Sequence, residues 1–350
     1  MHEDSPREPS SGLRLNGGRY EVLEHVQASL AGGVVTIGEQ GTCRYCSCSD
    51  PKRFRTFAHT FPEALGNKWV RSLDECDECN GKFSPYESAL ASSLGPLLTV
   101  GGVRGKGNKV RQTGRTAGPA ILQHSRRDAQ RALSARLRGP NLRMSRELTT
   151  GRIGLNIPIA EERFRPRHAY KALCKMAFAL LPRSEWGHYE QLRAWLLDLD
   201  DAVDFPMLEV GFSCSMIGNA PPILGATLLR RTNPHDVVPH ILFVFVAGSV
   251  CLYIDLRSDH MEDHIPFSPV GAVNLRWTAH VEDNETKVMQ WQYAQPVFFN
   301  WSSVSSEMQP IEAIWFRFNP ETRSASFELT FRNSAVIVRR YREARSIEAR

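Results

Sequence analysis

Two cysteine pairs constrain this chain more than anything else in it. Cys43 and Cys46 stand in the run CRYC, Cys76 and Cys79 in CDEC, and with Cys48 they place five of the 8 cysteines between positions 43 and 79. A CxxC step brackets a tight turn and leaves both sulfurs on one side, so two steps supply the four thiolates of a tetrahedral structural zinc ion. Closure around an ion adds folding free energy to a segment with little apolar surface of its own. The spacing predicts a centre made by Cys43, Cys46, Cys76 and Cys79. A slipped set with Cys48 in place of Cys46 remains open, although a CxC step suits zinc less well. Cys174, Cys214 and Cys251 fall in apolar segments and read as core thiols.

A disulfide framework is the competing use for many cysteines, and it requires an oxidising compartment. The first residues, MHEDSPREPSSGLRLNGG, carry acids and prolines where a secretory signal needs an apolar core. A solvated tail over residues 1–18 and cytoplasmic residence are therefore expected. No run of eighteen apolar residues occurs, because the greasiest stretch, Ile241 to Ile254, is broken by Gly248 and Ser249; no membrane partner is expected. At 350 residues, 42% hydrophobic and 23% charged, the chain is long enough for more than one core. A net charge of +5 does not by itself demand a polyanion.

Four regions follow: the tail, the cysteine-bearing residues 19–100, a Gly- and Arg-rich stretch over 101–150, and residues 151–350. In the third, Arg104, Lys106, Lys109, Arg111, Arg126, Arg127 and Arg131 belong to a basic stripe opposed by one acid, Asp128. Its first part, GGVRGKGNKVRQTGRTAG, has too many glycines for an element interior and reads as a loop. Ser125 to Gly139 reads as a short helix docked by Leu133 and Leu137. One-sided charge over such a length points to nucleic acid, and a solvated face is the alternative. GGVRGKG lacks the spacing of a nucleotide-binding loop.

The last region combines helix and strand periods. Ala169, Leu173, Met176, Ala177 and Leu180 recur at helical spacing up to Pro182, and Ser184 opens a second helix carrying Trp186, Tyr189, Leu192, Trp195 and Leu196. Strand patterns follow over 208–216, 223–230, 240–246, 250–256, 273–280, 314–318, 326–331 and 335–340. This unit is expected to be α+β, a helical hairpin with an antiparallel sheet. His260 and His264 in SDHMEDHI have the spacing of helical zinc ligands, but Met261 stands where the metalloprotease pattern needs Glu, and a charged loop is the simpler reading.

Between the cysteine pairs, FRTFAHTFPEALGNKW places His59 at the end of an aromatic run, followed by Pro62 and a turn at Gly66-Asn67, and the second pair runs directly into Asn80. In that order, CxxC, then AHTFPEALG, then CxxCN, the stretch from Cys43 to about Leu90 resembles the HNH endonuclease family, in its variant where two cysteine pairs brace a ββα-metal motif. A weaker likeness reaches GGVRGKGNK and YKALCKMAFALLP. The resemblance implies an N-terminal zinc-stabilised, treble-clef-like ββα-metal domain that hydrolyses phosphodiester bonds of double-stranded DNA with Mg or another divalent cation. It makes His59 the general base and Asn80 the residue that holds the hairpin carrying it.

The chemistry suits those roles. A neutral imidazole takes a proton from attacking water, while a cation stabilises the pentacovalent phosphate. The sequence also departs from the family. Ala58 occupies a position where many members have a cation ligand, and Phe83 and Ser84 stand near where a simpler motif ends in His. Glu87 is the remaining candidate ligand, in the first turn of a helix capped by Ser84 and opened by Pro85, a place that ordinary helix electrostatics also favours for Glu. The alternative is a zinc-braced module that binds nucleic acid or a protein without cutting.

Overall fold

The computed structural model describes residues 14–15, 19–28, 33–113, 120–125, 132–137, 143–146, 153–158, 162–202, 208–214, 224–236, 239–256, 258, 277–281, 287–291, 296–319, 324–331 and 334–340. Along the chain come β1 (Arg14–Leu15), β2 (Tyr20–Ala28), β3 (Val35–Ile37), β4 (Ala58–His59), β5 (Val70–Ser72) and helix α1 (Asp77–Val100). Then follow β6 (Ala120–Ser125), β7 (Ala132–Leu137), β8 (Arg143–Arg146), β9 (Ile153–Pro158) and β10 (Arg163–Phe164). Helices α2 (Pro166–Leu180) and α3 (Glu190–Leu197) precede β11 (Glu209–Cys214), β12 (Leu224–Arg231), β13 (Ile241–Ala247) and β14 (Val250–Leu256). The last strands are β15 (Trp277–Val281), β16 (Lys287–Trp291), β17 (Val297–Asn300), β18 (Glu307–Met308), β19 (Ile311–Asn319), β20 (Ser324–Phe331) and β21 (Ser334–Arg340). The fold is mixed α+β, with antiparallel sheets and few helices.

The largest sheet has seven strands in the order β1-β2-β12-β13-β14-β11-β17, and a five-stranded sheet runs β21-β20-β19-β9-β8. Strands β13 and β14 are buried along their whole length, as the apolar runs Ile241–Ala247 and Val250–Ile254 require, and Asp255 is buried with them. Their two-residue turn places Gly248 at a φ of 59°, where hairpin twist asks for a positive value. Helix α1 packs along α2, and α2 packs on β14, to which the Tyr170 hydroxyl donates through the Asp255 carbonyl.

Four expectations change. Residues 19–100 and 151–350 do not form separate cores: β2 pairs with β12, α1 lies on α2, and one apolar cluster contains Tyr45, Phe83, Phe178 and Phe245 together. Of the span Ser125 to Gly139, expected to be a helix, the described residues are strand: Ser125 ends β6, and Ala132–Leu137 is β7, its antiparallel partner. Leu133 and Leu137 are four apart, a step that fits the period of two as well as the helical one, and the strand period prevails. Helix α1 starts at Asp77 with Cys76 as its cap, so Ser84 caps nothing and Pro85 lies inside the helix. Pro85 leaves the carbonyl of Gly81 without its helical donor, and both residues sit on the exposed face, where water serves it. Finally, the segment from Ser184 begins as a 3-10 turn over Arg183–His188, and only α3 is α-helical.

Helix α2 is buried on nearly every side rather than amphipathic, with Lys171 and Lys175 both enclosed. Lys171 is satisfied by Asp201 at 2.7 Å and by the rings of Trp195 and Tyr86, at 4.8 and 5.2 Å. Among the described residues no helix is long and apolar enough to cross a membrane.

Candidate metal centre and the His59 hairpin

The loop after β3 and the start of α1 bring the four expected sulfurs together. Ligand atoms of Cys43, Cys46, Cys76 and Cys79 all lie within 4.8 Å of one another, and the Cys46 and Cys76 sulfurs are 3.7 Å apart. Thiolates on a tetrahedral zinc with bonds of about 2.3 Å would be about 3.8 Å apart, so the donor set fits such an ion. The first knuckle is tightened by the Cys43 amide donating to the Cys48 carbonyl at 2.8 Å, and by Ser47 at a φ of 59°. Cys48 stays outside the quartet. The thiols oppose one another's ionisation. A hydrogen bond from Cys79 draws Cys43 down to about 5, while that same bond raises Cys79 and burial pushes Cys76 up to about 11.

Two side chains of the first knuckle grip helix α2. Arg44 forks onto Asp74 at 2.9 and 2.6 Å and donates through Nη1 to the carbonyls of Phe178 and Ala179, at 2.6 Å each, which are among the open acceptors at the helix end. The Tyr45 hydroxyl donates to the Lys175 carbonyl at 3.0 Å, and its ring meets Phe83 edge-on.

Between the cysteine pairs, β4 and β5 form a short antiparallel hairpin that leads into α1, with His59 directly opposite Arg71. Asn67 pins the hairpin from inside. Fully buried, it donates to the carbonyls of Phe61 and Val70 at 2.8 Å each and accepts from the amides of Trp69 and Val70 at 3.2 and 2.9 Å. The bracing expected of Asn80 is thus made by Asn67; among the described residues Asn80 gives the hairpin no side-chain bond, and its amide serves the helix through the Cys76 carbonyl. The signal for Asn67 was present in the turn after Gly66, whose φ is 101°. Burial lowers the pKa of His59, and its Nδ1 is enclosed with no partner among the described residues.

Glu87 lies well inside α1, not in its first turn. Its Oε1 pairs at 3.1 Å with the ammonium of Lys175, which also reaches Glu75 at 3.0 Å and donates to the backbone carbonyl of His59 at 3.0 Å. Burial raises Glu75 to about 7 against the pull of that ammonium. Ala58 is buried and offers no donor. These residues do not fit a divalent cation: the one candidate carboxylate already faces a fixed positive charge, and the neighbouring position is a methyl group. Lys175 is the residue that sequence reasoning missed. Its signal was a second lysine, one turn after Lys171, in the largely apolar run AYKALCKMAFAL.

Of the basic stripe, Arg104, Lys106 and Lys109 are exposed in a small ordered hairpin closed by a bridge between Arg104 and Val110. It packs on the turn before Asn67: Lys68 donates to the Asn108 side chain at 2.6 Å, and a Cβ on Gly105 would come within 3.2 Å of Ala64. Arg111 is spent on Glu162 at 2.6 Å and on the Ala91 carbonyl. Arg126, Arg127 and Arg131, with His260 and His264, lie outside the described residues.

No protein-family model, curated protein or solved structure matches this chain.

Proposed function

We propose that the chain is an HNH-type endonuclease, its unit from Cys43 to about Leu90 braced by zinc on Cys43, Cys46, Cys76 and Cys79, with His59 as the proton acceptor in hydrolysis of DNA phosphodiester bonds. The observation that carries this reading is His59 itself. It sits on a hairpin locked by Asn67, beside a helix rooted in the cysteine centre, and burial keeps its imidazole neutral near pH 7. An enclosed nitrogen without a partner is costly unless something polar reaches it. That enclosed nitrogen is beyond the reach of DNA, so the half-buried ring works through its other nitrogen: the oxygen of a water bonds to phosphorus, its proton goes to that nitrogen, and the P–O bond to the leaving oxygen breaks. Arg71, across the hairpin, supplies positive charge for the phosphate, and Lys106 and Lys109 suit contacts to the backbone that carry affinity without sequence information.

The second reading, a module that holds nucleic acid without cutting it, is favoured by the Lys175–Glu87 pair and by Ala58, which leave neither of the two expected ligand positions free to hold a cation beside His59. Plasmid DNA incubated with the purified protein, with Mg²⁺, Mn²⁺ or Ni²⁺ and without added cation, separates the two. Nicking or linearisation that vanishes in His59→Ala supports the endonuclease. Retention of DNA in a gel with no cleavage under every condition supports the binding module.

A further inference from the structure

Phe57 is the most exposed of the large apolar side chains among the described residues, at 62%. A single exposed apolar residue needs no explanation when it rides on a loose loop. This one is held in place. The Asp77 carboxylate, in the first turn of α1, accepts from the amides of Arg55 and Thr56 at 3.2 and 3.1 Å, from the Thr56 hydroxyl at 2.6 Å and from Arg55 Nε at 3.0 Å. On its other side the pairing of β4 with β5 begins at the next residue, Ala58. The backbone is fixed before and after Phe57, and the ring still stands in solvent.

Its surroundings are chemically specific. Phe57 directly precedes β4, and Arg71, the cross-strand partner of His59, reaches its ring. The Arg71 guanidinium lies over the Phe57 ring at 5.6 Å from its centroid. Lys52 precedes Phe57 in the chain and Lys68 follows it, on the turn that leads to Arg71, and the hairpin bearing Lys106 and Lys109 is tied to Lys68 through Asn108. Of the acids nearby, Asp77 is taken up by Arg55 and Thr56, Glu78 by Arg53 and Lys82, and Glu63 is left facing His59. A flat aromatic face, a guanidinium and a cationic rim match a nucleobase and the phosphates on either side of it.

We infer that Phe57 and Arg71 form a stacking site for an unpaired nucleobase, so that this protein engages nucleic acid as a single strand or at a locally unpaired base, with the adjoining phosphate brought to His59. In a duplex both faces of each base are covered by its neighbours, so a fixed exposed ring has nothing to stack on there; in a single strand every base offers a π-face. The inference rests on the nucleic-acid reading above and not on cleavage.

The test uses the full-length, metal-loaded protein without added divalent cation. The probes are a short single-stranded DNA carrying 2-aminopurine and the blunt duplex of the same sequence. Tighter binding of the single strand by about tenfold or more, with quenching of 2-aminopurine, is the expected result. Phe57→Ala is expected to weaken single-strand binding by about 5- to 150-fold, the span covered by one base stack, while duplex binding holds. Phe57→Trp keeps the affinity, and its emission is quenched by the strand. Asp77→Ala, which frees the loop and keeps the ring, also weakens the single strand. Equal affinity for both forms, unchanged in Phe57→Ala, overturns the stacking site and leaves the nucleic-acid reading standing. Absence of binding to either form overturns both.

Discussion

The Nζ of Lys175 lies 3.1 Å from Oε1 of Glu87, an ion pair that joins α2 to α1 beside the carbonyl of His59. Removing one partner from an enclosed pair leaves the other uncompensated, a loss of roughly 3–5 kcal/mol. Lys175→Met is expected to lose stability in that range by urea unfolding of the metal-loaded protein, since it also strands the fully buried Glu75, and Lys175→Met with Glu75→Gln and Glu87→Gln to recover part of it. A single-variant loss below about 1 kcal/mol would show that the pair is not the tie described.

One equivalent of a metal ion such as zinc per chain is expected, with cobalt substitution giving intense thiolate charge-transfer bands that Cys76→Ser removes. Because Arg44 and Tyr45 of the first knuckle bond to α2, chelation is expected to unfold the shared core and not residues 40–95 alone. Hydrogen exchange after chelation reads this directly: β13 and β14 lose protection. Their survival would contradict the shared core.

Asn67→Ala is expected to cost about 2–4 kcal/mol, since it takes the Asn67 bonds from the Phe61 carbonyl and the Val70 amide and leaves the Val70 carbonyl to the Thr60 amide alone. Asn80→Ala is expected within about 0.5 kcal/mol of the parent. Equal losses would mean that the hairpin is not braced from Asn67.

His59 titrates below the ordinary value of 6.5 because burial disfavours its charged form. Between that lowered midpoint and 6.5 the unfolded chain takes up a proton that the folded chain refuses, so this group makes stability fall as pH drops through 6.5 and adds no slope well above it. Imidazole NMR is expected to place the midpoint under 6.5, and His59→Gln to flatten the stability profile in that window. A midpoint above 6.5 would contradict the enclosed, neutral imidazole.

Legibility of this sequence followed how local each signal was. Cys43, Cys46, Cys76 and Cys79 converge as their spacing predicts, because each pair is organised within one turn. The run from Ile241 to Leu256 reads directly as two strands about Gly248, and α2 is bounded by Pro166 and Pro182. Signals that depend on distant partners stayed hidden. Tyr20–Ala28 contains charges at Glu21 and Glu24 that blur its alternation, and Glu21 is answered by the distant Arg230. Lys175 looks out of place in an apolar helix until Glu75 and Glu87 are brought beside it. Ser84-Pro85 is a good local cap signal, but the cysteines overrule it and fix the start of α1 at Cys76.

The pairing of β2 with β12 sets Tyr20 opposite Arg231. A ribosome adding about 5–20 residues per second needs roughly 10–40 s to span that separation, so the nascent first strand waits without its partner for that long. During the wait its edge groups are open to any other strand in the cell. Translation speed and holding chaperones thereby become determinants of yield for this protein, and a pause in synthesis before residue 231 lengthens the period in which chains can aggregate.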